Sequence, residues 1–206
     1  MINRSLLFAG LLALLAACGG GGAGGGGIDP RLARLDLYEA QRARVLGDPD
    51  GGIQGMPLTP DTAVPASGQA MFAGATAILI DDPSGVLALA GDAALTITFA
   101  DQVATGSVTN VFGQTAGGGI VDYTGGLTLV GQATGAEFEL GYAGTLTGGH
   151  NVYGFDGILE ATLLGDPISG FAALDLDALI DQAGVSRQGS IVIFGEGLVT
   201  APPALP

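Results

Sequence analysis

From Ser67 to about residue 200 the chain is a series of short stretches in which apolar residues alternate with small or polar ones, each ended by a turn signal. An alternation of period two places one face of a strand against a core and the other outward. It is clearest in Leu95-Thr96-Ile97-Thr98-Phe99, in Leu127-Thr128-Leu129 and in Phe138-Glu139-Leu140-Gly141-Tyr142. The pattern predicts strands at 68–80, 86–99, 103–112, 120–130, 136–147, 152–164, 168–174 and 190–199. Between them lie Asp81-Asp82-Pro83-Ser84-Gly85, Asp101-Gln102, glycines 117–119, Gly131 to Gly135, Gly148-Gly149-His150-Asn151 and Gly165-Asp166-Pro167. Connections this short make sequential strands antiparallel neighbours. In the one longer connection, Leu176 to Ala183 reads as a short helix ended by Gly184.

The fold class expected is therefore all-β: an eight-stranded antiparallel up-and-down β-barrel, with a β-sandwich as its main rival. Leu95, Ile97, Phe99, Leu127, Leu129, Phe138, Leu140, Ile191 and Ile193 are assigned inward. Side chains of this size crowd a narrow lumen, so the expected core is dry and packed. Recognition then falls to the loops at 113–119, 131–135 and 148–151.

The first residues have a different character. One positive charge at Arg4 precedes an apolar run from Leu6 to Ala17, shorter than the ~20 residues that a membrane-spanning helix needs. Residues 1–17 read as a secretory signal peptide. Leu15-Ala16-Ala17-Cys18 resembles the bacterial lipobox, which implies diacylglycerol on the Cys18 sulfur and cleavage before it. Residues 18–28, nearly all glycine, form a flexible tether. Gly19 after the cysteine resembles the signal for outer-membrane sorting, with either the periplasmic or the cell-surface side open. Cys18 is the chain's single cysteine, so no internal disulfide and no thiolate metal cluster can form.

Asp29 as N-cap and Pro30 at the first helical position open a short α-helix over 29–47, closed by Gly47. Arg31, Arg34, Arg42 and Arg44 lie on it. They pair either with the acidic body of the protein and with Asp36 and Glu39, or with anionic lipid. The helix is expected to be dispensable for the barrel. Residues 48–66, with four prolines, read as a linker; the barrel domain occupies 67–200 and a tail 201–206.

The chain carries 20 acidic residues against 6 arginines and no lysine, a net charge of −14. Without Arg4 the balance is 5 − 20 = −15. Such a chain is a poor partner for nucleic acid.

Pro65-Ala66-Ser67-Gly68-Gln69-Ala70-Met71-Phe72-Ala73-Gly74, Leu89 to Phe99, Gly106-Ser107-Val108-Thr109-Asn110, Gly154-Phe155-Asp156-Gly157 and Leu164-Gly165-Asp166-Pro167 together resemble small lipoproteins with the transferrin-binding protein B type β-barrel. The resemblance spans residues 65–200. It implies an eight-stranded barrel on a lipid anchor, often displayed at the cell surface, with some members binding host iron proteins or related ligands. This chain has one barrel, short loops and no second lobe, and no binding residue is carried over.

Catalytic chemistry has few candidates. His150 is the sole histidine and reads as a turn residue, and no Gly-x-Ser-x-Gly elbow is present. Asp175, Asp177 and Asp181 invite a calcium reading, but Ile180 stands where an EF-hand loop needs glycine, and a solvated acidic helix is the plainer expectation. No catalytic residue, metal ligand or cofactor is assigned. An integral outer-membrane barrel would need aromatic girdles, and the chain has no Trp. The function expected is that of a lipid-anchored, non-enzymatic binding module at the outer membrane, acting on a protein or small ligand; the alternative is a structural or adhesive surface lipoprotein.

Overall fold

The computed structural model describes residues 29–83, 85–114 and 119–198. The signal peptide, Cys18, the glycine tether up to Ile28 and the tail at 201–206 lie outside the described residues.

One helix, α1 (Pro30–Leu46), precedes nine strands: β1 (Gln69–Asp82), β2 (Gly85–Thr98), β3 (Val103–Gln114), β4 (Ile120–Asp122), β5 (Thr124–Gln132), β6 (Glu137–Gly148), β7 (Asn151–Leu164), β8 (Gly170–Gln182) and β9 (Val185–Gly197). All pairings are antiparallel. β2 joins both β1 and β3, and the order β3-β5-β6-β7-β8-β9 returns to β1. The sheet is a closed eight-stranded barrel. The short β4 is the first part of the strand that β5 continues; it pairs with the far end of β3, and Tyr123 between them donates its N–H to Val111 O at 2.8 Å.

All nine side chains assigned inward by alternation are buried inside the barrel, where they pack with Phe72, Leu89, Tyr153 and Phe171. A sandwich is excluded by the closure. At the last seam, between β1 and β9, Gly74 faces Gly195 in register, and a Cβ on Gly74 would lie 1.8 Å from Phe194 O. Only glycine lets the backbones approach this closely.

The expected helix at 176–183 is strand. β8 runs to Gln182 and turns into β9 through Ala183 and Gly184, both at positive φ (53° and 83°), as a two-residue hairpin turn requires. Its register against β9 slips between Asp175 and Ala178, and Asp175 Oδ1 accepts the N–H of Asp177 at 3.1 Å. The bulge inserts one extra residue into the alternation, so the apolar spacing of Leu174, Leu176, Leu179 and Ile180 departs from the period of two that marks a strand.

α1 packs on the barrel. Its Leu35, Tyr38 and Val45 are buried on the outside of the barrel against Ala75, Ala77, Ala90, Phe112, Val192 and Phe194. The alanines leave room for the helix to lie close, so parts of β1 and β2 are buried on both faces. Gln41 Nε2 donates to Ala73 O on β1 at 2.9 Å and to Glu196 Oε2 on β9 at 3.3 Å, and Ala73 and Glu196 are themselves paired in register.

The segment at 48–66, expected as a linker, holds one short 3-10 turn (Asp61–Ala63) and two isolated bridges, Asp48 with Ile53 and Leu58 with Leu164. It crosses the end of the barrel as a strap. Thr59 N donates to Leu163 O, Gly165 N to Pro57 O, and Ala136 N to Asp61 Oδ1, while Val64 packs against the interior cluster.

Candidate functional site

The strand connectivity divides the loops between the two ends of the barrel. The β1–β2, β3–β4, β6–β7 and β8–β9 turns share one rim, and the β2–β3, β5–β6 and β7–β8 turns share the other. The loops at 113–119, of which 115–118 lie outside the described residues, and at 148–151 are on the first rim. The loop at 131–135 is on the opposite one. The three expected recognition loops therefore do not form one surface. His150 sits exposed in the β6–β7 turn.

Both mouths of the lumen are occupied by the chain itself. The strap and Val64 cross one. Beneath the other lie the buried rings of Tyr123 and Tyr153, whose centroids are 6.3 Å apart. Above them Gln182 Nε2 donates to Asp82 Oδ2 at 3.1 Å and Arg187 Nε donates to Gln182 Oε1 at 2.9 Å. Burial, followed by the charges of Tyr153 and Asp82, pushes the Tyr123 phenol up to about 12. These tyrosines stay protonated at neutral pH and act as packing and hydrogen-bonding groups.

The acidic residues of the β8 region have local roles. Asp175 Oδ2 accepts from the hydroxyl of Tyr142 at 2.8 Å, which bridges the irregular stretch of the β7–β8 ladder, and Asp181 Oδ1 accepts from Gly184 N at 3.1 Å. Burial and the Asp175 contact hold the Tyr142 phenol above its ordinary value. Among the described residues no group of three or more His, Cys, Asp or Glu is placed to hold a metal ion.

The four arginines of α1 pair with carboxylates. Arg31 bridges Asp29 and Asp122, Arg34 reaches Asp92, Arg42 holds Glu39 and Arg44 holds Glu196. The cluster around Asp92 is the densest. Tyr38 Oη and Asn110 Nδ2 donate to its two oxygens, while the Arg34 guanidinium lies 4.9 Å from the Phe112 ring centroid. Burial alone would raise Asp92; the hydrogen bonds from Tyr38 and Asn110 and the Arg34 charge hold it below the usual carboxylate range. Three of these pairs, Arg31 with Asp122, Arg34 with Asp92 and Arg44 with Glu196, tie the helix to the barrel, as the first of the two expected readings has it.

Besides a polar cleft of about 760 Å³ at the rim, between the strap at Thr59 to Asp61 and the β5–β6 turn, the outer wall is accessible. A cleft of about 650 Å³ opens between the C-terminal end of α1, the strap and the outside of β7 and β8. Val45, Leu46, Ile53, Met56, Leu164 and Leu174 line it, and the guanidinium at its floor, Arg42, is 5% exposed and already bonded to Glu39 and Gly47 O. The volume is in the range of small-molecule and side-chain pockets. Beyond Leu174 the wall continues in register: Leu174 pairs with Glu160, and Glu160 with Glu139. One step along the strands Gly141 lies between Val130 and Ile158, which are 57% and 56% exposed, with Leu176 nearby on β8.

Alternation placed Glu139 and Gly141 on the outward face of their strand, but nothing in the sequence marked the wall as a surface for recognition. Glu139 and Glu160 are unremarkable as separate residues, and only the β6–β7 register makes them neighbours. No protein-family model matches the chain, and no curated protein matches it.

Proposed function

We propose that the chain is a lipid-anchored, non-enzymatic binding module of the outer membrane, tethered through Cys18, whose recognition surface is the outer wall of the barrel. The observation that carries this reading is the lumen. Large apolar side chains such as Leu129, Leu140, Phe171 and Ile193 occupy it, and the strap and the Tyr123–Tyr153 pair close its ends. A barrel built this way offers its outside to partners. An eight-stranded closed barrel is also what the resemblance to the transferrin-binding protein B type lipoproteins implies, which supports membership of that group. The lipobox resemblance supports the anchor: two or more acyl chains, at ~0.8 kcal/mol per buried methylene, hold a protein firmly to a bilayer.

Two measurements test the reading. Metabolic labelling with a fatty acid should mark the wild-type chain and leave Cys18→Ala unmarked; label retained on Cys18→Ala overturns the anchor. Titration with a fluorescent apolar ligand should give no saturable binding that responds to Leu129→Trp, a substitution that adds bulk inside the lumen. Saturable binding abolished by Leu129→Trp would make the protein a lumen carrier instead.

A further inference from the structure

Glu139 and Glu160 stand directly opposite each other on β6 and β7, both exposed, in the middle of the open wall. Like charges in this relation destabilise a sheet. Nothing in the described residues relieves them: Arg31, Arg34, Arg42 and Arg44 are bonded to other carboxylates on the α1 side, and Arg187 donates to Gln182 at the rim. Apolar surface lies next to the pair, Leu174 and the cleft across the β7–β8 ladder and the Val130-Gly141-Ile158 row one step along the strands, while the exposed Glu137, one step the other way on β6, adds a third carboxylate. The same wall holds the bulge of β8 and the irregular part of the β7–β8 ladder.

From this arrangement we propose that the β6–β8 wall docks a segment of another protein that presents arginine or lysine between aliphatic side chains, the cation lying between Glu139 and Glu160 and the aliphatic groups on Ile158 and in the cleft beside Leu174. Charge complementarity selects this occupant. A second copy of the chain has few cations to give, because four of its five described arginines are already paired with its own carboxylates. The chain's own residues 199–206 and 18–28 contain no charged side chain. A fatty acid would place its carboxylate beside two others. The proposal rests on the outer wall being the recognition surface, and it names the chemistry recognised there.

The test uses the full mature chain and a short fluorescent peptide of alternating leucine and arginine, followed by anisotropy at physiological ionic strength, where exposed charges beyond ~8 Å are screened. Binding should be saturable. Glu139→Gln with Glu160→Gln should weaken it by about tenfold or more while leaving the unliganded protein as stable or more so. Ile158→Ser should weaken it too, whereas Asp81→Asn with Asp181→Asn at the rim should leave it unchanged. No saturable binding, equal weakening by the rim pair, or indifference to the glutamate pair each overturns the proposal; so does saturable binding of oleate at the cleft in place of the peptide. Fatty-acid labelling of Cys18 and the Leu129→Trp titration involve none of these side chains, so failure here is separable from failure of the tethered-module reading.

Discussion

Tyr38 of α1 donates its hydroxyl hydrogen to Asp92 of β2, opposite the bulge of β3, and so ties the helix to a wall strand 54 positions further along the chain. Tyr38→Phe keeps the ring against Phe112 and removes this bond together with the one the hydroxyl accepts from Arg34 Nη2 at 2.7 Å. A hydrogen bond to a charged acceptor that other donors partly replace is worth about 1–2 kcal/mol, and a loss of that size is expected in urea unfolding. An effect below about 0.3 kcal/mol would mean that Arg34 and Asn110 suffice to hold Asp92.

Acid should loosen the same contact. Asp92 and Glu196 are both held below their ordinary values, Glu196 chiefly by the hydrogen bond from Arg44. Carboxylates depressed on folding contribute stability that is complete above their unfolded values, near 4, and is lost as the pH falls through their folded ones. Thermal melts should therefore drop in midpoint below about pH 4, and the drop should shrink in the Asp92→Asn variant. At the alkaline side Tyr38, pushed up to about 12 by burial and by Asp92, contributes stability that is complete below ~10 and lost as the pH rises through its folded value.

Phe171 is wholly buried in the lumen and packs on Phe72, ring centroids 5.4 Å apart. Phe171→Ala should cost about 3–5 kcal/mol in equilibrium unfolding, since strands closed into a ring have little freedom to collapse onto the space. Phe138, 8% exposed near the strap, should cost less. Equal losses at the two positions would show that the lumen is packed as tightly beside the strap as at Phe171.

A chain beginning at residue 60 should fold less stably than the mature protein. It lacks α1 and bares Ala75, Phe112, Val192 and Phe194. Burial of Leu35 and Val45 contributes roughly 1.5–3 kcal/mol each, so the midpoint of the circular dichroism melt should fall by at least about 6 °C. Binding of a hydrophobic dye should rise at the same time. An unchanged melt would show that the helix rides on the barrel without supporting it.

Alternation made the barrel readable because it reports a local property, which side of a strand each residue faces. Leu95, Ile97, Leu127, Leu129 and their counterparts followed from it directly. Where a second contact altered the pattern, the reading failed. Ala75, Ala77, Ala88 and Ala90 look like weak outward positions, yet they are buried because α1 covers them. The bulge at Asp175 to Ala178 took the strand out of its period of two. The division of the loops between two rims, and the meeting of Glu139 with Glu160, depend on closure and register, which no single stretch of sequence contains.

In this barrel every seam but one joins strands that are near neighbours along the chain. The exception, β1 with β9, brings Ile80 beside Gly189 and Phe72 beside Gly197, a long-range pairing of the kind whose loop-closure cost slows folding. A protein without a second cysteine has no covalent means of fastening that seam. α1 lies across it, and the single amide of Gln41 grips paired residues on both sides. The helix precedes every strand in the sequence, yet its seat exists only once the first and last strands have met: it is a splint laid across the joint where the ring closes.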